Sequence, residues 1–410
     1  MTRGLALSGA SIAILLLGLS SAAAKDKPSR MQFTVSGYAN FAVAYVDQDD
    51  GGFLSLRDVG IAAEAEVHFK GRLTLDNGLH FGFRAELELN RSGEYPGAFL
   101  TSDEADLIDE VYVTAQDSWG EIQAGSQDGV ADQMGVFAPG VSRATRVSDG
   151  EIYFFQDGYS DGEFRPLPLR TDLYGSDDNL KVVYFTPRIA GFQFGVSYTP
   201  EATKGFSGTA SRADDDFNQQ GDFIELGLSY RTQIEGVDIA AALTYLTASN
   251  EDPEYFGSRL GYGDDLEELH FGARAGFALG DFRIVAGGSI RQSNAENGII
   301  FSDGYTVALD AIDAIVWDAG FTLSRGPWTI GATYSAGESD IIDYAAADDL
   351  GTQEGHGWEF SLGFVPGPGV HLTLGYQMIT YEEEAVFPSY FTGTDKAEAD
   401  VVFLETALSL

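Results

Sequence analysis

The sequence predicts an all-β fold, a transmembrane antiparallel up-and-down β-barrel of about sixteen strands. Three observations carry that reading. From Leu79 to Asn90, the residues Leu79, Phe81, Phe83, Ala85, Leu87 and Leu89 alternate without a break with His80, Gly82, Arg84, Glu86, Glu88 and Asn90. Successive side chains of a strand point to opposite faces, so this stretch has one apolar face and one ionic face. The same alternation recurs along the chain, and short and long polar breaks take turns between its repeats, as a barrel with tight turns at one end and large loops at the other requires. Finally, after residue 24 no run approaches the roughly twenty apolar residues of a membrane-crossing helix, so any crossing has to use strands.

The N-terminus supplies the context. Arg3 precedes an uncharged apolar run from Gly4 to Leu19, and Ala22, Ala23 and Ala24 form a small-residue site before Lys25. This is the pattern of an export signal peptide over residues 1–24, cleaved after Ala24, which leaves residues 25–410 as one barrel domain. The chain has no cysteine, so neither a disulfide framework nor a thiol nucleophile is available. Five scattered histidines give no zinc-type ligand spacing, and no cofactor is required by anything in the pattern.

Lys and Arg number 24 against 63 Asp and Glu, a formal charge of −39 that excludes nucleic acid and anionic surfaces as partners and favours cations. A disordered acidic chain is excluded in turn by 44% hydrophobic and 12% aromatic residues.

Taken in order, the first strand sets Phe33, Val35, Gly37, Ala39, Phe41, Val43 and Tyr45 against Gln32, Thr34, Ser36, Tyr38 and Asn40. The second sets Val59, Ile61, Ala63, Ala65, Val67, Phe69, Leu73 and Leu75 against Glu64, Glu66, His68, Lys70, Arg72 and Thr74. Asp76-Asn77-Gly78 joins it to the third strand, because Asn-Gly accepts the positive φ of a primed hairpin turn. Further short turns are expected at 189–191, 231–236, 278–281, 324–327 and 365–369, on the periplasmic side. Long polar stretches at 201–222, 248–266, 292–310, 336–355 and 380–397 suit outer loops. The last strand, from Asp400 to Leu410, reaches the chain end and is expected to close against the first, since an unpaired peptide group in hydrocarbon costs several kcal/mol. Phe33 and Tyr45, Phe192 and Tyr198, Trp328 and Tyr334, and Trp358 and Phe364 fall near the ends of apolar stripes, where amphipathic rings meet headgroups.

Four passages give the chain a family likeness: FTVSGYANFAVAY from Phe33, LDNGLHFGFRAELEL from Leu75, WGEIQAGSQDG from Trp119, and NLKVVYFTPRIAGFQFGVSYTP from Asn179. They resemble Gram-negative outer-membrane general porins, most closely the alphaproteobacterial type. The resemblance covers the first half well and the second half through its hairpin rhythm. It implies a multi-pass protein of the bacterial outer membrane, a homotrimer in contact with lipid and lipopolysaccharide, and a water-filled channel for passive diffusion of small hydrophilic solutes and cations. It also implies that the third long loop, residues 126–178, folds inward and narrows the pore. Two departures stand out. Members commonly end in phenylalanine, where this chain has Leu410, and the acidity is unusually high.

A diffusion pore does no bond chemistry, so its working parts are a narrow place and the field across it. On the inward parity the wall candidates are Glu64, Glu66, His68, Arg84, Glu86, Arg274, Arg283 and Arg291. The loop offers Asp128, Asp132, Asp149, Glu151, Asp157, Asp161 and Glu163, with Arg143, Arg146, Arg165 and Arg170 interspersed. Loop carboxylates are expected to oppose Arg84 and its neighbours across a transverse field, and the net acidity to give cation preference. Acidic groups at Asp47, Asp49 and Asp50, Asp214 to Asp216, Asp264 and Asp265, and Asp348 and Asp349 are candidate calcium sites that would bridge to lipopolysaccharide, although none has EF-hand spacing.

Three rival classes stay open. A substrate-specific channel of the same fold, for a sugar, phosphate or another small solute, would use Tyr153, Phe154, Phe155, Tyr159 and Phe164 as an aromatic track. A barrel enzyme would need an activated nucleophile, and neither a Gly-x-Ser-x-Gly elbow nor a His-Glu-x-x-His helix occurs, so no catalytic role is expected. A soluble exported binding protein would leave the aromatic pairs at both strand ends without a reason.

Overall fold

The computed structural model describes residues 30–48, 57–91, 108–148, 154–155, 169–173, 176, 178–201, 220–250, 265–294, 309–310, 314–343, 348–385 and 396–410. Its strands are β1 (Arg30–Gln48), β2 (Val59–Thr74), β3 (His80–Arg91), β4 (Ile108–Asp117), β5 (Gly120–Ser126), β6 (Leu180–Phe185), β7 (Phe192–Glu201), β8 (Gln220–Ile234) and β9 (Val237–Asn250). They continue with β10 (Leu266–Leu279), β11 (Phe282–Ser293), β12 (Leu309–Asp310), β13 (Ala314–Arg325), β14 (Trp328–Asp343), β15 (Asp348–Gly367), β16 (Val370–Ala385) and β17 (Lys396–Ser409). One short helix, α1 (Val130–Met134), lies between β5 and β6.

Every strand pairs antiparallel with its sequence neighbour, except that the two-residue β12 only extends the edge of β14, so β11 pairs directly with β13. The other sixteen strands close into a ring. β17 pairs with β1 over Tyr38↔Ser409 to Gln48↔Ala399, and the Leu410 amide donates to the Gly37 carbonyl at 2.9 Å. The ring therefore leaves no edge in the hydrocarbon, where water cannot satisfy one.

Parity follows the sequence. Phe33, Val35, Phe41 and Tyr45 of β1 are all about half exposed on the outer surface, while Asn40, Ala42 and Ala44 between them are buried inside. Cross-strand ring pairs on the outer surface join Trp328 to Phe364 at 4.4 Å, Tyr334 to Trp358 at 4.5 Å and Phe192 to Tyr230 at 4.5 Å. All but Tyr230 are expected girdle positions, and the rings meet in tilted pairs across neighbouring strands.

The connections alternate as expected, with the tight ones together at one end: 75–79, 118–119, 186–191, 235–236, 280–281, 326–327 and 368–369. Gly78 at φ +93° and Gly236 at φ +84° supply the left-handed backbone two of these turns need. At the other end the expected loop boundaries need correction. β14 runs on to Asp343 and β15 begins at Asp348, so most of 336–355 is paired strand, and β16 continues to Ala385. Past the hydrocarbon both faces of a ribbon meet water, so hydrophobic alternation fades there while the backbone ladder continues.

The buried side chains lie inside the ring, between the wall and the chain that links β5 to β6. Val147, Phe155 and Leu169 of that connection pack on Ala44, Val46, Ile379, Val401 and Phe403, and Val130 and Met134 of α1 pack on Val183 and Phe185. Leu404, by contrast, faces outward from the middle of β17 between Val43 and Leu374. Leu404→Arg is expected to cost about 2–4 kcal/mol, measured as denaturant-titrated folding into lipid vesicles, whereas Leu404→Met leaves the midpoint in place.

Candidate functional site

The connection between β5 and β6 is folded into the ring, as expected for 126–178, and it follows the inner wall along a definite track. At its start, the Val130 amide donates to Ser197 Oγ of β7 at 3.1 Å and the Ala131 amide to Glu225 Oε2 of β8 at 2.7 Å. Next, the Ala138 amide reaches Asp318 of β13 at 3.3 Å and the Pro139 carbonyl accepts from Thr333 of β14 at 3.3 Å. Further on, Ser142 Oγ and the Val147 amide donate to Glu359 of β15 at 2.8 and 3.1 Å. The amides of Arg143, Ala144 and Thr145 all donate to the Glu405 carboxylate of β17, at 2.7, 2.9 and 2.9 Å. The returning limb meets the same wall: the Leu169 carbonyl accepts from Ser335 at 2.5 Å, Thr171 donates to Asp318 at 3.3 Å, and Ser176 Oγ donates to Glu225 at 2.6 Å.

Four wall carboxylates, Glu225, Asp318, Glu359 and Glu405, thus hold the loop through its main chain, and all four are buried. A buried carboxylate is costly unless its lone pairs are met, and converging amide and hydroxyl donors meet them here. The wall is thinned to admit the loop. A Cβ at Gly272 would run into the Val136 carbonyl, and one at Gly227 would lie 2.6 Å from Met134 Sδ, so glycine lets loop and wall approach. None of these four acids is among the residues expected to work at the lumen. A trace was present in the sequence, since each stands on the inward parity two residues before a small one: Gly227, Gly320, Ser361 and Ala407.

The expected wall residues divide into two groups. Glu64, Glu66, His68, Arg84 and Glu86 come together on β2 and β3. Tyr38 donates to Glu64, His68 Nε2 lies 2.7 Å from Glu66 and 3.6 Å from Glu86, and Arg84 pairs with Glu86 and lies 3.5 Å from Glu110 of β4. Among the described residues Arg84 meets Glu86 and Glu110 of its own wall and donates to the Tyr112 hydroxyl at 3.4 Å, while the loop acids expected to oppose it, from Asp149 to Glu163, lie outside the described residues. Neighbouring strands bring these ions together at ladder distance, a reach the sequence alone did not reveal. Glu66, His68 and Glu86 offer a mixed nitrogen and oxygen donor set for a metal ion, and Glu110, Asp128 and Asp178 an all-oxygen one.

Arg274 and Arg283 stand apart from that group. They line a cavity of about 920 Å³ near the short turns, which Arg143 and Arg146 of the loop enter from above. Arg291 lies deeper, 3.8 Å from Glu268 and donating to the Asp172 carbonyl at 3.2 Å. Arg170 pairs with the Asp172 carboxylate. Burial works to raise the Asp172 carboxyl, but the charge and hydrogen bonds of Arg170, aided by Arg291, hold it below the ordinary carboxylate range. Asp149, Glu151, Asp157, Asp161, Glu163 and Arg165 lie outside the described residues, as do Tyr153, Tyr159 and Phe164 of the aromatic set. Phe155 is fully buried and Phe154 packs against the same cluster, so these two rings fasten the loop to the wall.

A sixteen-stranded ring with its fifth connection folded inside is matched by comparison with known proteins. A family model described as Gram-negative porin matches residues 10–384. The chain belongs to that family. Solved structures similar to this porin include the outer membrane protein OmpT of Vibrio cholerae with loop L8 deleted, at 13% identity and a TM-score of 0.55, covering 93% of this chain and 99% of that one. The trimer form of the in-vitro folded V. cholerae OmpT is similar at 12% identity and a TM-score of 0.53, with 93% and 99% covered. An anion-selective porin from Comamonas acidovorans is similar at 13% identity and a TM-score of 0.53, with 92% and 100% covered. At these identities the likeness establishes the fold. No curated protein matches the sequence.

Two outcomes follow for this porin's loop. Glu405→Gln keeps the shape but halves the acceptor capacity facing three amides, and is expected to loosen the 143–145 segment by about 1.5–3 kcal/mol, read as faster amide hydrogen exchange there. Because Asp172 is depressed in the folded state, its stabilising share is complete above about pH 3.9 and is lost as pH falls further, through the folded value. Hydrogen exchange at 169–173 should thus be indifferent to lowering pH from about 7 to 5 and, after correction for intrinsic rates, rise only once pH drops below the ordinary carboxylate range; Arg170→Ala should bring that rise to higher pH.

Proposed function

We propose that this porin is a water-filled channel of the bacterial outer membrane through which ions and small hydrophilic solutes diffuse passively. The observation that carries the reading is the pairing of a closed ring, greasy outside, with a loop fixed to its inner wall by main-chain hydrogen bonds. An anchored loop narrows a lumen permanently, as a sieve needs, whereas a lid needs a weak attachment. The part of β2 and β3 that carries His68, Arg84 and Glu86 forms the wall that faces the loop side of the field. In this reading Asp149, Glu151, Asp157, Asp161, Glu163 and Arg165 contribute the loop side of the field.

The similar V. cholerae protein described in a trimer form supports a homotrimer. Residues 1–24 act as the cleaved export signal, and acidic outer segments such as Asp214 to Asp216 take up calcium between the porin and lipopolysaccharide. The channel carries out no catalysis.

Ion preference follows from where charge resides. A net −39 raises cation concentration at the long-loop mouth, and salt above about 0.1 M, where the Debye length falls below ~10 Å, screens that exposed charge first. Reversal potentials of the purified porin in planar bilayers are expected to report cation preference in dilute KCl that declines toward neutrality in concentrated KCl. Anion preference in dilute KCl would refute it.

A further inference from the structure

The 920 Å³ cavity at the short-turn end reverses the charge balance of the chain. Overall, acids outnumber bases more than two to one. In this cavity five arginines, Arg143, Arg146, Arg231, Arg274 and Arg283, share the lining with a single carboxylate, Asp238. That carboxylate is engaged, since it accepts from Arg283 at 2.8 Å and from Gln233 at 2.8 Å. No described carboxylate pairs with Arg231 or Arg274. The wall acids Asp318, Glu359 and Glu405 turn their oxygens to loop amides and hydroxyls.

Two further features fit a ligand. The arginines come from three strands, β8, β10 and β11, and from the loop, so the groups surround a volume instead of forming a stripe on one strand. Hydroxyls of Ser324 and Thr329 and the imidazole of His371 border the same space and add neutral hydrogen-bonding groups. The positive field also reaches past the lining: Arg188, in the neighbouring turn, is pushed below its ordinary range by burial and then by the charge of Arg231.

We infer that this cavity is a binding site for small multivalent oxyanions of the inorganic phosphate type, held by the guanidinium groups of Arg143, Arg146, Arg231, Arg274 and Arg283. A guanidinium presents a planar fork of donors that matches two oxygens of such an anion, and several forks converging on one volume favour two negative charges over one. Low-dielectric walls concentrate this field, and ions confined within them are screened by salt less than exposed ones. The site deepens the channel reading and rests on it: a multivalent anion that has passed the acidic mouth is retained beside the short turns before it leaves. The retained ion lengthens its stay in the narrow part and obstructs monovalent current while bound.

The test records KCl current through the purified full-length porin in planar bilayers while inorganic phosphate, kept mainly dianionic, is added on either side, with gluconate as the monovalent comparison. Phosphate is expected to reduce the current saturably and reversibly, and gluconate not to. Arg231→Ala and Arg274→Ala each weaken the phosphate block about ten-fold or more, and Arg274→Lys, which keeps the charge and loses the fork, falls between. Arg325→Ala, at an exposed arginine paired with Asp281 outside the cavity, leaves the block unchanged. If one alanine variant fails to insert, the other and Arg274→Lys decide the question. An open KCl channel with no saturable phosphate block, equal block by gluconate, or equal loss in Arg325→Ala overturns the site. Absence of KCl conductance in the parent porin overturns the channel reading instead.

Discussion

The rest of this molecule depends on the rule that a peptide group in hydrocarbon must find its hydrogen-bond partner within the protein. Sixteen strands satisfy it only by joining β17 to β1, and that closure turns an ordinary amphipathic ribbon inside out: large apolar side chains such as Phe41, Leu404 and Trp328 face lipid, and polar ones face the enclosed space. A hydrophobic core in the usual sense is left with one place to form, between the inner wall and whatever chain enters the ring. The clusters around Val147, Phe155 and Leu169, and around Val130 and Met134, are that core.

The same demand on peptide groups reappears inside. A loop laid along a wall whose own backbone is fully used in the ladder cannot pair with that backbone, so its amides need side-chain acceptors. Glu225, Asp318, Glu359 and Glu405 provide them at successive points of the circumference. Carboxylate is suited to the task because two oxygens accept several donors at once, as Glu405 does from three consecutive amides. Part of the conspicuous acidity of the chain is thereby structural, and its charge is directed at the loop instead of the solute.

That allocation changes how the lumen should be understood. An average over 63 acidic and 24 basic residues suggests one uniformly negative pore. Placement separates the charges: a mixed cluster of Glu66, His68, Arg84 and Glu86 on one wall, carboxylates hidden under the loop on the other, and arginines gathered beside the short turns. The three zones occupy different parts of the wall, so a solute meets them one after another and responds to each in turn.

The sequence alone determined the parity of the strands it resolved residue by residue, such as β1, β2 and β3, the closure of the last strand onto the first, all the tight turns but that at 118–119 and the aromatic stripe ends, because each rests on local period two or on turn chemistry. It overestimated the loop at 336–355, because paired ribbon in water no longer alternates, and it did not distinguish Glu225 or Glu405 from any other inward acid. Which carboxylate binds loop amides, which partners Arg84 and which arginines share a cavity are relations between residues up to about 260 positions apart, as from Arg143 to Glu405. Such relations are set by strand register around a closed circumference and by the path of one inserted loop. Only the tertiary structure decided them, because proximity across the ring leaves no periodic mark along the chain.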